Sequence, residues 1–320
     1  MQRKMKEPTF IDGCTADLGG PRMKQIFNKY HRHIDRRRIE KSVDHLYDRQ
    51  PKAGRPHWPL PMMIKCLLLQ KWFGLSDPQL EENLRDRLSF RQFVGLSLED
   101  TTPDETTMVR FRKKLRDAGA DRLLFNAVLK SLKARGLVMK EGTLVDATIL
   151  EAPKGRKRND GSTTRDEEAS FTRKNNQNYH GYKGHIATDQ NGMIRDYRFT
   201  TARVHDSQKM DELVKDERSA VYADSAYMDS QRKERLSKKG VFCGIIRRRT
   251  RGQKELPRYQ KLINRVISSI RAVVEHLFAW MSMMGYEQVR YRGLRRNEFD
   301  FAVTGLAYNL KRSFSMLEKT

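Results

Sequence analysis

The chain has 320 residues, 38% of them hydrophobic, and a formal net charge of +24, from 64 Lys and Arg against 40 Asp and Glu. That apolar content suffices for a real core and excludes wholesale disorder; the N-terminus MQRKMKEPTF has no signal-peptide core, and the longest apolar run, MMIKCLLL, is short and broken by Lys65. Cys14, Cys66 and Cys243 are widely spaced with no CxxC pair, which argues against a disulfide framework or a zinc knuckle.

Such an excess of positive charge calls for a polyanionic partner. Nucleic acid suits it better than a membrane, because Lys and Arg along a long footprint release the counterions of many phosphates and no lipid-anchor signal accompanies them. A soluble, cytoplasmic, nucleoid-associated protein is expected, with a merely basic soluble protein as the alternative.

Residues 1–53 are polar and basic and read as a loosely ordered arm with at most a helix. From Pro59 to Leu132 apolar residues recur at three and four (Met62, Ile64, Leu67, Leu68, Trp72, then Leu84, Leu88, Phe93, Val94), which predicts an all-helical block, and residues 54–138 form the second segment. Within it TTPDETTMVRFRKKL starts a helix capped by Thr102 or Asp104. Its basic face, with Arg110, Arg112 and Lys113, is either a DNA-contacting surface or a solvated face.

Near Lys140 the pattern changes to the short β-branched run GTLVDATIL, so a third segment, 139–320, begins there. Residues 154–178 carry almost no apolar side chains and predict a flexible polar loop. Two strands follow, HGYKGHIATD and MIRDYRFTTAR, joined by Asp189-Gln190-Asn191-Gly192. Asn-Gly tolerates positive φ at both positions, so a tight antiparallel hairpin is expected. Then come a helix near 207–217, the strand SAVYAD, a helix near 229–239, the strand VFCGIIR, a basic loop and a long helix over 258–284. The order predicts an α/β fold, a mixed sheet flanked by helices.

Asp146 in LVDAT and Asp224 in VYADS each follow a short apolar run, at the sheet edge where open α/β folds bind ligands. If the two strands are neighbours, the carboxylates converge and need a cation between them; hard oxygen ligands favour Mg²⁺ or Mn²⁺. The long helix packs through Ile263, Val266, Ile267, Ile270, Val274, Leu277 and Met281, and Glu275, one turn after Arg271, borders that stripe as a third carboxylate and as a partner for Arg271. Three carboxylates holding two Mg²⁺ suit in-line displacement at phosphorus. Taken singly, Asp146 and Asp224 could be turn or helix caps and Glu275 part of a surface ion pair.

LVDAT, HGYKGHIATD, ARVHDS, VYADSAYMD and RAVVEHLFAW, in that order, resemble the catalytic domain of bacterial DDE transposases of the insertion-sequence-5 group, whose catalytic domain is of the insertion-sequence-4 kind. GRPHWPLPMMIKCLLLQKWFGLSDPQLEENLRDRLSFRQFVGL and TTPDETTMVRFRKKL resemble that group's helical N-terminal region, so the likeness covers roughly residues 54–310.

The resemblance implies a ribonuclease-H-like core preceded by an all-helical DNA-binding and dimerisation domain. Asp146, Asp224 and Glu275 would be the catalytic, metal-binding triad for two Mg²⁺ ions, replaceable by Mn²⁺. The family pattern around the glutamate has a Tyr three before the Arg and a Lys seven after the Glu; this chain has Ser268 and Ser282 there, so other basic residues must contact DNA. Lys183, Arg271 and the stretch 231–261, with Arg247, Arg248 and Arg249, are the candidates, a solvated loop being the alternative for the last. Tyr227, three residues after Asp224, lacks the Arg/His surroundings a nucleophilic tyrosine needs, and His180, His185 and His205 lack zinc-motif spacing.

The implied partners are double-stranded DNA, as terminal inverted repeats and target, and further copies of the chain in a homodimer or larger synaptic complex, with no membrane. The competing readings are a catalytically inactive, domesticated DNA-binding regulator and a nuclease on the same core.

Overall fold

A computed structural model describes residues 21–46, 56–156, 158–174, 176–249 and 252–317. Most of the N-terminal arm and Cys14 lie outside them. The described chain forms two compact units, one running to Arg135 and taking in the residues from Ala302 on, the other spanning Gly136–Phe301. The division drawn on sequence kept the last residues with the sheet; packing groups them with the helices.

The first unit is all α: α1 (Pro21–His33), α2 (Arg36–Val43), α3 (Leu60–Phe73), α4 (Asp77–Asp86), α5 (Leu88–Val94), α6 (Glu105–Asp117) and α7 (Ala120–Ala134). Two helices thus lie where the sequence suggested an arm with at most one. Helix α3 is apolar all round and nearly every residue of it is buried, so it forms the axis of the unit. Left-handed Gly74 ends it, and Ser76 with Gln79 closes a reciprocal capping box that starts α4.

The second unit carries β1 (Thr143–Glu151), β2 (Ser170–Lys174), β3 (Gln177–Thr188), β4 (Ile194–Thr201), α8 (Ser207–Leu213), β5 (Ala220–Ala223), α9 (Ser230–Lys238), β6 (Phe242–Ile245) and α10 (Arg258–Met283). A last helix, α11 (Leu294–Met316), begins in this unit and passes into the first at Ala302. The six strands form one mixed sheet in which β2, β3, β1, β5 and β6 are neighbours in that order and β4 also pairs with β3. Pairs β1–β3, β2–β3 and β3–β4 are antiparallel, whereas β1–β5 and β5–β6 are parallel. This is the ribonuclease-H-like mixed sheet expected from the sequence.

Strand alternation sorts the two faces. Val145, Ala187, Val221 and Ala223 bury against Met210 and Leu213 of α8, Tyr227 and Leu236 of α9. On the opposite face Gly184 leaves room for the Phe301 ring, which lies against Tyr197 and Phe199. Helix α10 packs on β1 and β5 through Ile267, Val274, Leu277 and Met281. Ile263 and Val266, assigned to that stripe from sequence, are 42% and 59% exposed, so the buried stripe of α10 begins at Ile267.

The polar stretch 154–178 is not a free loop. It contains β2, and Asp166 and Glu168 accept the otherwise unpaired Gly293 and Leu294 amides at 2.9 Å, fastening it to the start of α11. Its low apolar content reflects capping by carboxylates rather than flexibility. The hairpin β3–β4 forms as expected, but only Gly192 takes positive φ at its turn; Asp189 shapes the loop by accepting the Asn191 and Met193 amides at 2.9 and 2.8 Å. Among the described residues no helix is long and apolar enough to cross a membrane.

Candidate active site

Asp146 lies in mid-strand, not at a strand end, since β1 continues to Glu151. Its parallel pairing with β5 stops at Val145↔Ala223, so Asp146 and Asp224 are the next residues on two neighbouring strands. Both carboxylates therefore emerge where the parallel strands part, the crevice that binds ligands in α/β sheets. Both are half-buried.

Each carboxylate is partly engaged. Asp146 Oδ1 accepts the Ala147 amide at 2.8 Å, and Oδ2 accepts Arg271 Nη2 at 2.9 Å. Asp224 Oδ1 accepts the Ser225 hydroxyl at 2.7 Å and the Ala226 amide at 2.9 Å, capping the short 3₁₀ turn Ser225–Tyr227. Asp224 is thus a local cap as well as a member of the pair.

Their electrostatics differ. Burial pushes the Asp146 carboxyl above its ordinary value; Arg271 opposes this and the Asp224 charge adds to it. Burial also raises Asp224, but hydrogen bonds from Ser225 and Ala226, with the Arg271 and Arg248 charges, outweigh it and leave the carboxyl below its ordinary value. Two neighbouring carboxylates pushed in opposite directions, with a guanidinium on one of them, make this crevice the candidate functional site.

Arg271 lies on Asp146, not on Glu275 as the helical spacing suggested. The reason is orientation: Val274 and Leu277 face the sheet, so Arg271 points toward β1 while Glu275 is exposed. Among the described residues no three His, Cys, Asp or Glu side chains stand together as a ready-made metal cage. The donor set of the Asp pair fits a hard divalent cation, and the structure does not gather Glu275 to it.

Of the basic residues assigned to DNA, two are committed elsewhere. Lys183 is buried, donates to the Val204 carbonyl at 3.0 Å and lies 2.9 Å from Asp206 Oδ1, so its charge is neutralised within the unit. Arg112 is buried in the helical unit, bidentate to Asp77 and 3.2 Å from Gln70 Oε1. It holds α6 to α3 and α4 and is not a surface contact. Arg110 and Lys113 are exposed, as are Arg248 and Arg249. Arg248 reaches within 3.9 Å of Asp224, and both backbone polar groups of Arg247 bond the Asn264 side chain of α10, which pins the basic loop beside the carboxylates.

Tyr227 is 2% exposed, and its hydroxyl has no hydrogen-bond partner among the described residues. Burial, reinforced by the Asp146 and Asp206 charges, drives its pKa far up, which disfavours a phenolate nucleophile. Hydropathy patterns cannot reveal such a group, because Tyr reads the same whether its hydroxyl is wet or dry.

His185, fully buried on β3, pairs its Nε2 with the Thr200 hydroxyl at 2.9 Å, and burial above all lowers its pKa to about 4. Its folded pKa lies below that of a free imidazole, so the unfolded chain binds more protons between the two values. The neutral ring therefore contributes stability that is complete above about pH 6.5 and lost as the pH falls toward 4, up to about 3 kcal/mol. Thermal unfolding followed across that window should show a fall that His185→Gln makes distinctly shallower; equal slopes would contradict a buried neutral ring.

Residues 139–310 match the transposase DDE domain family, and residues 21–114 match a second family described as a transposase domain. The chain belongs to the transposase DDE domain family. The match spans most of the sheet unit and both aspartates. Among solved structures, the piggyBac transposase synaptic complex with hairpin DNA, seen by cryo-electron microscopy, aligns with 98% of this chain and 78% of its own at 11% identity and a TM-score of 0.46.

Proposed function

We propose that this transposase is a metal-dependent polynucleotidyl transferase that binds the terminal inverted repeats of an insertion sequence and cuts and joins DNA strands. The observation that supports this best is the convergence of Asp146 and Asp224 at the parting of β1 and β5, with the Arg271 guanidinium on Asp146 Oδ2. The motif likeness supports membership of the insertion-sequence-5 group. In this reading the helical unit binds DNA and pairs two copies, and the unit around the sheet carries the chemistry.

Asp146 and Asp224 would hold a divalent cation, Mg²⁺ or Mn²⁺, and Glu275 would be the third ligand of a two-ion site. Reaching the pair requires Glu275, exposed on α10, to turn inward. Bound cations would draw charge from the scissile phosphate and from the attacking and leaving oxygens. The chain's own residues orient the strand: Arg248, beside Asp224, and Arg271, once exchanged from Asp146, offer guanidinium groups to phosphate oxygens. An oxygen of water, and later a 3′ hydroxyl, forms the new bond to phosphorus as the in-line P–O bond breaks. A regulator without catalysis has no use for a carboxylate pair whose repulsion costs stability.

The test is incubation of the full chain with plasmid DNA carrying the element's own ends. Mg²⁺ should yield breaks at those ends, and a chelator should abolish them. Binding to the ends without any break would favour the regulator, and breaks scattered through the plasmid would favour a nuclease.

A further inference from the structure

Within the helical unit, residues between Pro56 and Met63 and the TTPDETTMVRFRKKL segment meet around a cleft of about 380 Å³. That is the lower end of the range for pockets that enclose a small ligand. Trp58, Met63 and Phe111, all buried, supply its apolar lining. Thr107, Arg110, Phe111 and Lys114 recur at three and four along α6 and so share the helix face that forms one wall.

The polar lining is cationic. Arg110 is exposed and Lys114 half-buried one turn away, with His57 at the mouth. Asp104, the one carboxylate lining the cleft among the described residues, caps α6: its Oδ1 accepts the Thr107 amide at 2.6 Å and the Thr106 hydroxyl at 2.9 Å, which holds its carboxyl below the ordinary value. A cleft lined by two aromatic side chains, with two cations one helical turn apart, matches an anionic ligand that carries a ring. Aromatic faces stack bases of any sequence, and Arg and Lys take phosphate oxygens.

We propose that this cleft binds one nucleoside phosphate unit of a DNA strand, the phosphate on Arg110 and Lys114 and the base against Trp58 and Phe111. It rests on the DNA-handling reading for the source of the nucleotide; the chemistry of the cleft is independent of the carboxylate pair. Arg112, two residues from Arg110, faces away into its pair with Asp77, so α6 divides a structural arginine from a binding one.

The experiment follows tryptophan fluorescence of the full chain at fixed, near-physiological salt while oligothymidylate of three residues, thymidine monophosphate or inorganic phosphate is added. The oligonucleotide should quench the signal, Trp58→Phe should remove that quench, and Arg110→Glu should weaken binding at least tenfold. Lys215→Glu, the same charge change at an exposed lysine beyond α8, should alter it less than twofold. Equal weakening by the two charge reversals, or a quench that survives Trp58→Phe, overturns the site. Monophosphate binding as tight as the oligonucleotide overturns the strand as occupant in favour of a free nucleotide, and an equal quench by phosphate alone overturns base recognition. Asp146→Asn should leave the quench intact. A Trp58- and Arg110-dependent quench in a chain that never cleaves element ends would sink the transposition chemistry and spare the cleft, and end cleavage without the quench would do the reverse.

Discussion

If the proposed function holds, Asp146→Asn and Asp224→Asn should each reduce strand cleavage at the element ends by a factor on the order of a thousand or more, while binding to those ends should stay within a few-fold. The double variant is no worse than either alone, because groups that act as one unit lose their function together. The reason lies in the register: the two carboxylates leave adjacent parallel strands at the same level, so either one alone is an incomplete cation site. Plasmid cleavage and a gel shift on the same preparations check this, and cleavage that survives either substitution would remove the pair from the chemistry.

Stability should separate the two variants further. The raised Asp146 carboxyl means that ionised Asp146 opposes folding as the pH rises past its folded pKa, so without metal at neutral pH Asp146→Asn should unfold at the same temperature or higher. The lowered Asp224 carboxyl has the opposite sign: it contributes stability above the ordinary carboxylate range, and Asp224→Asn should unfold slightly earlier. Added Mg²⁺ should raise the unfolding temperature of the parent chain and of neither variant.

Arg112→Ala destabilises the protein by about 3 kcal/mol, the effect expected when one partner of a largely buried ion pair is removed and the other is left uncompensated. Asp77 would keep its charge at the start of α4 with its bidentate partner gone, and Gln70 on α3 would lose a donor. Arg110→Ala, two positions earlier and exposed, should stay within about 0.5 kcal/mol. Urea unfolding of both variants measures the contrast. An Arg112→Ala chain as stable as its parent but weak on DNA would return Arg112 to the surface role that its place in FRKK suggests.

Much of the sheet edge was legible in the sequence. The short β-branched run bounded by Gly142 and Pro153 located β1, the apolar run in SAVYAD located β5, and an aspartate following each apolar run marked the edge where they meet. Charged side chains were harder to place. Arg110, Arg112 and Lys113 look alike in sequence, yet the rotation of the helix puts Arg112 inside and the others out; Lys183 likewise is paired with Asp206, which lies in a different element. The polar run 154–178 resembled a loop because carboxylates that cap a helix more than a hundred residues later leave no local signal.

The sequence by itself determined the element order, the sheet class, the basic character and the two aspartates, because these follow from local periodicity, turn chemistry and composition. The tertiary structure alone decided that Asp146 and Asp224 stand at one level, that Arg271 turns to Asp146 while Glu275 faces outward, and that the end of α11 belongs with the helices. Such pairings depend on strand register and helix rotation, which distant packing sets, and a one-residue change in either would present a different set of side chains to the same crevice.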